Sequence, residues 1–422
     1  MDILYISYFY PPLGGPATFR NTKAVKYLSS LGANIDVITV REIEYLLEDN
    51  SLLSECRERE LIRTASLDPM AITKKLSQSG AINSRSLYLG TSERMKRLIR
   101  GMIPVDDKIA WVPFVIAAGI TACQARSYDL IYVSCGPFSS AIAASYLASR
   151  FHLPLVVDYR DYWTLLSDYN QGITKLHRGI SSYWERRILR QSALLVTATS
   201  GIGRDLCAAF GEGLEDRQMT VYNGWDEEDF QNLPTSSAKN CGFEIAYYGA
   251  IYARRSMKNL YAALLSLRQQ ELLPPDTKLR LYGNYFVETY ADIEASGISD
   301  LIEVVPQLQH REALAQMMQA DVLVLNINSS SPYGTLTSKI FEYIRSQRPI
   351  LAMVPAAKEA AELLRSCGHD YICAMESAST IEAALSRCLE DLKSPNPRSY
   401  QIPPEYERSQ QLTQLYHRLS TI

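Results

Sequence analysis

Hallmarks of metal and redox proteins are missing from this sequence of 422 residues. Its 8 cysteines never form a CxxC pair, and its 5 histidines include no HExxH arrangement. Scattered cysteines in apolar runs are typical of buried thiols in a reducing compartment. The sequence therefore predicts no metal site, and we expect neither a metal nor a bound cofactor.

A surplus of positive charge and a long apolar run are also missing. Lysine and arginine number 43 against 46 acidic residues, which gives a net charge of -3 at pH 7. Non-specific nucleic-acid binding needs a basic surplus, so we expect no nucleic-acid partner. The longest apolar run, WVPFVIAAGITAC, is shorter than the roughly 20 residues of a membrane-spanning helix. Since the basic region of a signal peptide is also absent, we expect a cytoplasmic protein.

Buried strands and amphipathic helices alternate along most of the chain. The opening strand DILYISYFY, the helical segment TFRNTKAVKYLSSLG and the strand NIDVITV form a first strand–helix–strand unit. Such units build parallel sheets. The polar stretch 231–242 separates two series of them and is predicted to be a linker. We expect an α/β fold of two doubly wound, Rossmann-like domains, with residues 41–110 irregular and the stretch 63–86 a loop.

The first strand is followed by a glycine-rich turn, PPLGGP. Ligands of open α/β sheets bind beyond the carboxyl ends of the strands, where Gly14 and Gly15 would lie. Glycine allows close backbone approach, and the next helix directs N–H groups to the same place, which favours an anion. The turn is not GxGxxG, Asp36 starts the second strand instead of ending it, and no GKS/T pair exists. The sequence therefore disfavours a dehydrogenase and a P-loop NTPase.

The second half of the chain carries two cationic turns after predicted strands. In YYGAIYARRSMKN, Gly249 precedes Arg254, Arg255 and Lys258, a set of cations that suits a diphosphate. In SPYGTLTSKIFEYI, a turn leads into a helix with a lysine in its first turn, a position that is unfavourable without an anion. The candidate residues of this second turn are Gly334, Thr335, Ser338, Lys339 and Glu342.

Glu342 lies three residues after Lys339, on the same side of the helix. Its carboxylate could accept both hydroxyl groups of a ribose. The alternative is a surface ion pair between the two side chains, worth only ~0.3 kcal/mol. The position at the edge of the sheet favours the binding role.

Four segments follow one another as ILYISYFYPPLGGPATFR, VVDYRDYW, TVYNGWDEEDF and SKIFEYIRSQRPILA. In their order and spacing they resemble glycosyltransferase family 4. They correspond to its opening Gly-Gly loop, the D-x-R-D-x-W segment of the branch that builds bacterial surface polysaccharides, its NG-x-D-x-x-x-F hinge and its K-x-x-E-Y helix. The resemblance implies the GT-B fold, with two domains facing across a cleft, and a retaining hexosyltransferase-like reaction.

The resemblance also implies roles for single residues. A nucleotide-sugar donor, expected to be UDP-linked, would bind mainly to the C-terminal domain, and Lys258 and Lys339 would stabilise the leaving diphosphate. Asp161 would face the sugar or the acceptor. The acceptor would be a glycan or a polyprenyl-linked glycan. The implied domains are 1–232 on the acceptor side, 241–398 for the nucleotide sugar, and a C-terminal helix in 399–422 that can pack back on the first domain.

Three positions depart from the family pattern. Gly334 stands where many members have the first glutamate of E-x7-E, and Ala250 stands where many have an arginine. The family's histidine near the donor sugar has no match, and Asp161 lies in that region. A nucleotide-sugar 2-epimerase of the same fold and a non-catalytic scaffold therefore remain as alternatives.

The segment SERMKRLIRGMI (92–103) mixes four cations with apolar residues. One interpretation is a solvated surface helix. The other is a contact with anionic lipids at the inner face of the membrane.

Overall fold

The computed structural model describes residues 1–41, 43, 48–78, 103–165, 174–211, 213–231, 233, 242–251, 256–396 and 398–422. The basic segment expected at a membrane lies outside these residues, apart from Ile103, and so do Arg254 and Arg255. Contacts divide the chain into two compact units, Met1–Tyr222 with Ser409–Ile422, and Asn223–Arg408.

The N-terminal unit is built on a seven-stranded sheet with the strand order β3-β2-β1-β4-β5-β6-β7. Its strands are β1 (Asp2–Ile6), β2 (Asn34–Val40), β3 (Glu60–Thr64), β4 (Leu130–Cys135), β5 (Leu155–Tyr159), β6 (Leu194–Thr197) and β7 (Gln218–Thr220). Its first six helices are α1 (Pro16–Ser30), α2 (Pro69–Gln78), α3 (Val112–Ala125), α4 (Ser139–Phe151), α5 (Lys175–Gln191) and α6 (Ser200–Phe210). All paired strands of this sheet are parallel. The expected doubly wound α/β architecture is confirmed for this unit.

The stretch expected to be irregular contains regular structure. Strand β3 and helix α2 both fall within it, and α2 begins at Pro69, inside the stretch interpreted as a loop. The prediction of a loop was therefore wrong for the part that the structure describes. Strand β3 pairs only with β2 at the edge of the sheet, and four of its five residues are not fully buried. It therefore lacks the continuous apolar run that marks a central strand.

Asp36 is a buried structural acid in β2. It accepts hydrogen bonds from Arg59 (2.8 Å), Arg126 (2.9 Å) and Tyr128 (2.7 Å). Burial alone would raise the pKa of this carboxyl, but the hydrogen bonds from Arg59 and Tyr128 outweigh burial and lower the pKa to about 2. Asp36 pairs in register with Glu60, the first residue of β3, so it lies toward the amino end of the strands, as expected.

The C-terminal unit has a six-stranded parallel sheet with the order β10-β9-β8-β11-β12-β13. Its strands are β8 (Glu244–Tyr248), β9 (Lys278–Tyr282), β10 (Ile302–Val305), β11 (Val322–Asn326), β12 (Ile350–Met353) and β13 (Ile372–Cys373). Its helices are α7 (Glu227–Phe230), α8 (Lys258–Gln269), α9 (Val287–Glu294), α10 (His310–Met317), α11 (Lys339–Ser346), α12 (Glu359–Ser366) and α13 (Ala378–Lys393). The central strands are buried, as near-continuous apolar runs of a parallel sheet require.

The last helix, α14 (Arg408–Leu419), belongs to the N-terminal unit from Ser409 onward. Leu412, Leu415 and Leu419 join the apolar core that contains Ile3 and Tyr5 of β1. The chain thus returns to its first domain. From Asn223 onward the chain makes its contacts with the C-terminal unit, ahead of the predicted boundary at 232. Glu227 in α7, for example, binds Arg345 in α11 at 2.6 and 2.7 Å.

None of the described helices is both long enough and apolar enough to cross a membrane.

Candidate functional site

The Gly-Gly turn leads directly into helix α1. Gly15 is the N-cap residue and has a φ of 97°, a left-handed conformation that favours glycine. No side chain caps the first turn, and that turn contains no acidic residue. The hydroxyl of Thr18 donates to the carbonyl oxygen of Gly14 at 3.3 Å, which holds the turn against the helix. The turn therefore combines a glycine at positive φ with a helix N-terminus that no side chain caps, while Gly14 is buried and Gly15 is half-buried.

A buried ion pair fixes the start of α1 to strand β5. Arg20 donates to both carboxylate oxygens of Asp158, at 2.7 and 2.8 Å, and to the carbonyl oxygen of Val221 at 2.8 Å. The side chains of Arg20 and Asp158 are only 7% and 1% exposed. Removing one partner would leave an uncompensated buried charge, so the pair locks the orientation of the helix that carries the Gly-Gly turn.

The segment VVDYRDYW is mostly structural. Asp158 forms the ion pair with Arg20. Arg160 donates to the carbonyl oxygen of Cys135 at 2.9 Å and to that of Gly136. Trp163 is fully buried and stacks on Phe138. Asp161 is exposed just beyond the carboxyl end of β5. The arginine that binds Asp158 therefore comes from α1 and not from the segment itself.

Glu185 of α5 is a buried acid without a cationic partner among the residues that the structure describes. The backbone N–H of Thr164 donates to Oε2 at 3.2 Å, and the hydroxyl of Thr164 donates to the same atom. Burial raises the pKa of Glu185 to about 7, and the bonds from Thr164 oppose this rise only in part. The pKa of Glu185 thus lies in the neutral range, well above that of an ordinary glutamate.

In the C-terminal unit, Lys258 is the first residue of helix α8. Its ammonium group pairs with Asp292 of α9 at 3.1 Å, and its side chain is 67% exposed. The first turn of α8 contains no acidic residue, and the backbone N–H of Lys258 donates to the hydroxyl of Ser256 at 3.2 Å. Lys258 is thus accessible, and a pair this exposed is weak enough to be exchanged for an anionic ligand.

The second cationic turn begins at the buried Gly334 and continues through the half-buried Thr335 and Ser338. Ser338 is the N-cap residue of α11, and Lys339 is its first residue. The hydroxyl of Thr337 accepts from the backbone N–H of Lys339 at 3.2 Å, which stabilises the entry into the helix. As predicted, a lysine stands at the helix N-terminus.

Glu342 is not the exposed side chain that a surface pair would require. Its Oε1 lies 2.9 Å from Nε2 of His310, the first residue of α10, and its side chain is only 14% exposed. Burial opposes ionisation of Glu342, but the bond to His310 and the nearby charge of Lys339 lower its pKa. Conversely, burial alone would lower the pKa of His310, and the bond to Glu342 raises it. The result is a shielded carboxylate held in one orientation.

Hydrogen bonds bring these turns to one edge of the sheet. The hydroxyl of Tyr343 in α11 accepts from the backbone N–H of Tyr248 at 3.3 Å, which joins α11 to the carboxyl end of β8. At the end of β11, the amide of Asn326 contacts the sulfur of Met257, the residue before Lys258, at 3.8 Å. The N-termini of α8 and α11 therefore lie beside the adjacent strands β8 and β11.

Sequence reasoning missed Lys358 and His310. Lys358 precedes α12, and its ammonium group donates to the carbonyl oxygens of Ser329, at 2.6 Å, and Ser331. It braces the loop after β11 and could have been noticed as a third lysine at a helix start. His310 could not have been linked to Glu342, because no local pattern connects residues so far apart in sequence.

Residues 86–224 match the family model of the glycosyl transferase 4-like domain. The matched part lies almost entirely in the N-terminal unit. No curated protein sequence matches this chain.

Solved structures match over the full length. Sucrose-phosphate synthase from Thermosynechococcus elongatus is 15% identical, with a TM-score of 0.60, over 100% of this chain and 94% of the other. HepE from Anabaena, solved with UDP and glucose, is 14% identical, with a TM-score of 0.56 and full coverage of both chains. The UDP-GlcNAc 2-epimerase from Methanocaldococcus jannaschii is 10% identical, with a TM-score of 0.58 and full coverage of both.

These likenesses establish the fold. The two Rossmann-like units form a GT-B fold, as expected from the sequence. The similar structures include both glycosyltransferases and 2-epimerases, so the fold leaves the reaction open.

Proposed function

We propose that this protein is a retaining hexosyltransferase that moves a sugar from a UDP-linked donor to a glycan or polyprenyl-linked glycan. The expected pathway is the synthesis of a surface polysaccharide, in the cytoplasm at the inner face of the membrane. The observation that carries the proposal is the edge formed by β8 and β11. There, two helices begin with the lysines Lys258 and Lys339, and a half-buried carboxylate, Glu342, lies one helical turn behind the second.

The two lysines would bind the diphosphate. A helix N-terminus attracts anions, whereas a lysine in its first turn is unfavourable unless an anion is bound. Donating groups that are already oriented stabilise the charge that develops on the leaving group, and this is often the largest contribution to catalysis. These cations would supply the charge that a metal ion supplies in other enzymes, so no metal is expected.

Glu342 would bind the ribose hydroxyls. Oε1 accepts from Nε2 of His310 at 2.9 Å, and this bond would hold the carboxylate in position for the ribose. Gly334, Thr335 and Ser338 would supply backbone and hydroxyl groups to the diphosphate, and Arg254 and Arg255 would add charge. In the N-terminal unit, Gly14 and Gly15 would bind the diphosphate or the acceptor, with Asp161 near the sugar.

The main test measures UDP release from a panel of UDP-sugars. Lys339→Ala should lower kcat/KM by about thirtyfold to a thousandfold, because the loss of one such donor costs about 2–4 kcal/mol. The control variant is Lys393→Ala, which removes an exposed lysine near the end of α13. Wild-type turnover by the Lys339 variant would disprove its catalytic role.

Binding is tested separately by calorimetry with UDP. Glu342→Ala should weaken the binding of UDP, and Glu390→Ala, an exposed acid of α13, should not. Unchanged UDP affinity in the Glu342 variant would remove Glu342 from the site.

A second candidate function is nucleotide-sugar 2-epimerisation. Structures of 2-epimerases match this chain over its full length with TM-scores as high as those of the transferases. An epimerase needs no acceptor, so conversion of free UDP-GlcNAc would identify it. Nucleotide binding without any turnover would instead indicate a scaffold.

A further inference from the structure

Three neighbouring helices of the N-terminal unit present an unusual outer surface. Helices α3 and α4 approach closely because Gly119 packs against Leu147. Helices α4 and α5 are joined by Gln191, which donates to the carbonyl oxygen of Ser145 and the hydroxyl of Ser149 at 3.0 Å each. The three helices therefore form one continuous layer.

The charged residues exposed on this layer all have the same sign. Helix α3 has no charged residue, and Arg150 is the only one in α4. The single acid among the three helices, Glu185, is fully buried. We call the exposed cations of α4 and α5 the basic face: Arg150, Lys175, Arg178, Arg186, Arg187 and Arg190.

This distribution is not a consequence of composition. The whole chain has more acidic than basic residues and a net charge of -3. Exposed cations elsewhere in the N-terminal unit are commonly paired with acids: Arg59 binds Asp2 and Asp36, and Arg126 binds Glu60. Within the described part of the chain, no acid pairs with the positive charges of this face.

Large apolar side chains are exposed between these cations. Leu176 is 71% exposed, Tyr183 is 59% exposed and Tyr146 is 46% exposed. Leu176 and Tyr183 lie seven residues apart on one side of α5, and Lys175, Arg186 and Arg190 lie near that side of the same helix. Aromatic and aliphatic groups interleaved with cations are typical of helices that lie in the headgroup region of a bilayer.

We propose that the basic face binds the surface of an anionic bilayer, with the axis of α5 parallel to the membrane and Leu176 and Tyr183 inserted among the headgroups. Charge complementarity supports this occupant, since each lysine or arginine near an anionic leaflet contributes about 1 kcal/mol. The binding is peripheral. The proposal concerns residues other than the segment 92–103 and does not depend on the reaction proposed above.

The test is co-sedimentation of the full chain with vesicles. Wild-type protein should bind vesicles containing phosphatidylglycerol, should not bind vesicles of pure phosphatidylcholine, and should lose most of its binding in 0.5 M salt because of screening. The triple variant Arg178→Gln, Arg187→Gln, Arg190→Gln should bind on the order of a hundredfold more weakly, as the contribution of each charge implies.

The matched control removes three exposed cations from other surfaces, with Arg57→Gln, Lys393→Gln and Arg418→Gln, and should bind vesicles like the wild type. The apolar contribution is tested with Leu176→Gln, which should weaken binding without altering the charge. Circular dichroism of each variant checks that it is folded.

Three results would overturn the proposal. Wild-type protein that binds neutral and anionic vesicles equally, or neither, excludes an electrostatic membrane surface. A folded triple variant that binds as well as the control excludes this face. Tighter binding to single-stranded RNA than to vesicles in the same buffer identifies a different occupant. Sugar transfer to a soluble acceptor remains measurable in each case, so failure here is separate from failure of the proposed reaction.

Discussion

Replacement of Glu185 by glutamine should stabilise the N-terminal unit at alkaline pH. The acid is fully buried, and Oε1 has no hydrogen-bond partner among the described residues. Glutamine has the same shape. Its carbonyl oxygen can accept both bonds from Thr164, and its amide can point toward the hydroxyl of Tyr159, which interacts with the carboxyl of Glu185 in the wild type. The variant thus keeps the packing and removes only the charge.

The magnitude follows from proton linkage. The pKa of Glu185 rises from 4.5 to about 7 on folding, so the folded state binds the proton more tightly than the unfolded state. The resulting stabilisation is fully present below pH 4.5 and is lost as the pH rises through 7. A shift of this size corresponds to about 3 kcal/mol. Glu185→Gln has no such loss, so its advantage over the wild type should grow by about this amount between pH 4.5 and pH 8.

The assay is urea unfolding followed by tryptophan fluorescence at several pH values. Three of the four tryptophans, Trp111, Trp163 and Trp184, belong to the N-terminal unit, so fluorescence reports mainly on that unit. Glu362→Gln, an exposed acid in α12 of the other unit, serves as a control for the loss of one carboxylate. A stability difference between Glu185→Gln and the wild type that is independent of pH would refute the reasoning.

Three further predictions concern packing and charge. Arg20→Met should cost about 3–5 kcal/mol in chemical denaturation, because Asp158 stays buried without its partner, and the double variant with Asp158→Leu should recover part of this loss; equal losses would disprove the coupling. Gly119→Val should destabilise the protein by roughly 1–3 kcal/mol through overpacking between two helices, and an unchanged melting temperature would contradict this contact. His310→Asn should reduce the pH dependence of the free energy of unfolding. The raised pKa of His310 gives stability that is present below pH 6.5 and is lost as the pH rises above it. The lowered pKa of Glu342 gives stability that is present above pH 4.5 and is lost at lower pH. Melting temperatures measured between pH 5 and pH 8 should therefore fall less steeply in this variant than in the wild type.

The fold was predictable wherever burial is complete. Strand β2 has the bounds 34–40 that its sequence predicts, because a strand covered on both faces is a continuous apolar run. The edge strands β3 and β10 were missed, since they are partly exposed and carry polar residues. Helix α13 was also missed, although Ile381, Leu385 and Leu389 repeat at helical spacing on its buried face.

The candidate site was predictable only in part. The starts of α8 and α11 at Lys258 and Lys339 follow from local signals, namely a strand, a turn and an amphipathic segment. The interaction partners of the site residues cannot be predicted from such local signals. Asp292, His310 and the arginine that binds Asp158 come from distant parts of the chain, and only the tertiary fold brings such charges together.

The return of α14 to the first domain has a practical consequence for dissecting this protein. The C-terminal unit is, in effect, an insertion in the N-terminal unit, since the chain leaves the first domain after Tyr222 and re-enters it at Ser409. A fragment ending at residue 222 would expose the apolar groove that Leu415 fills and should aggregate. A soluble first domain requires residues 409–422 to be joined to residue 222 by a short linker, whereas 223–408 can be excised as one piece.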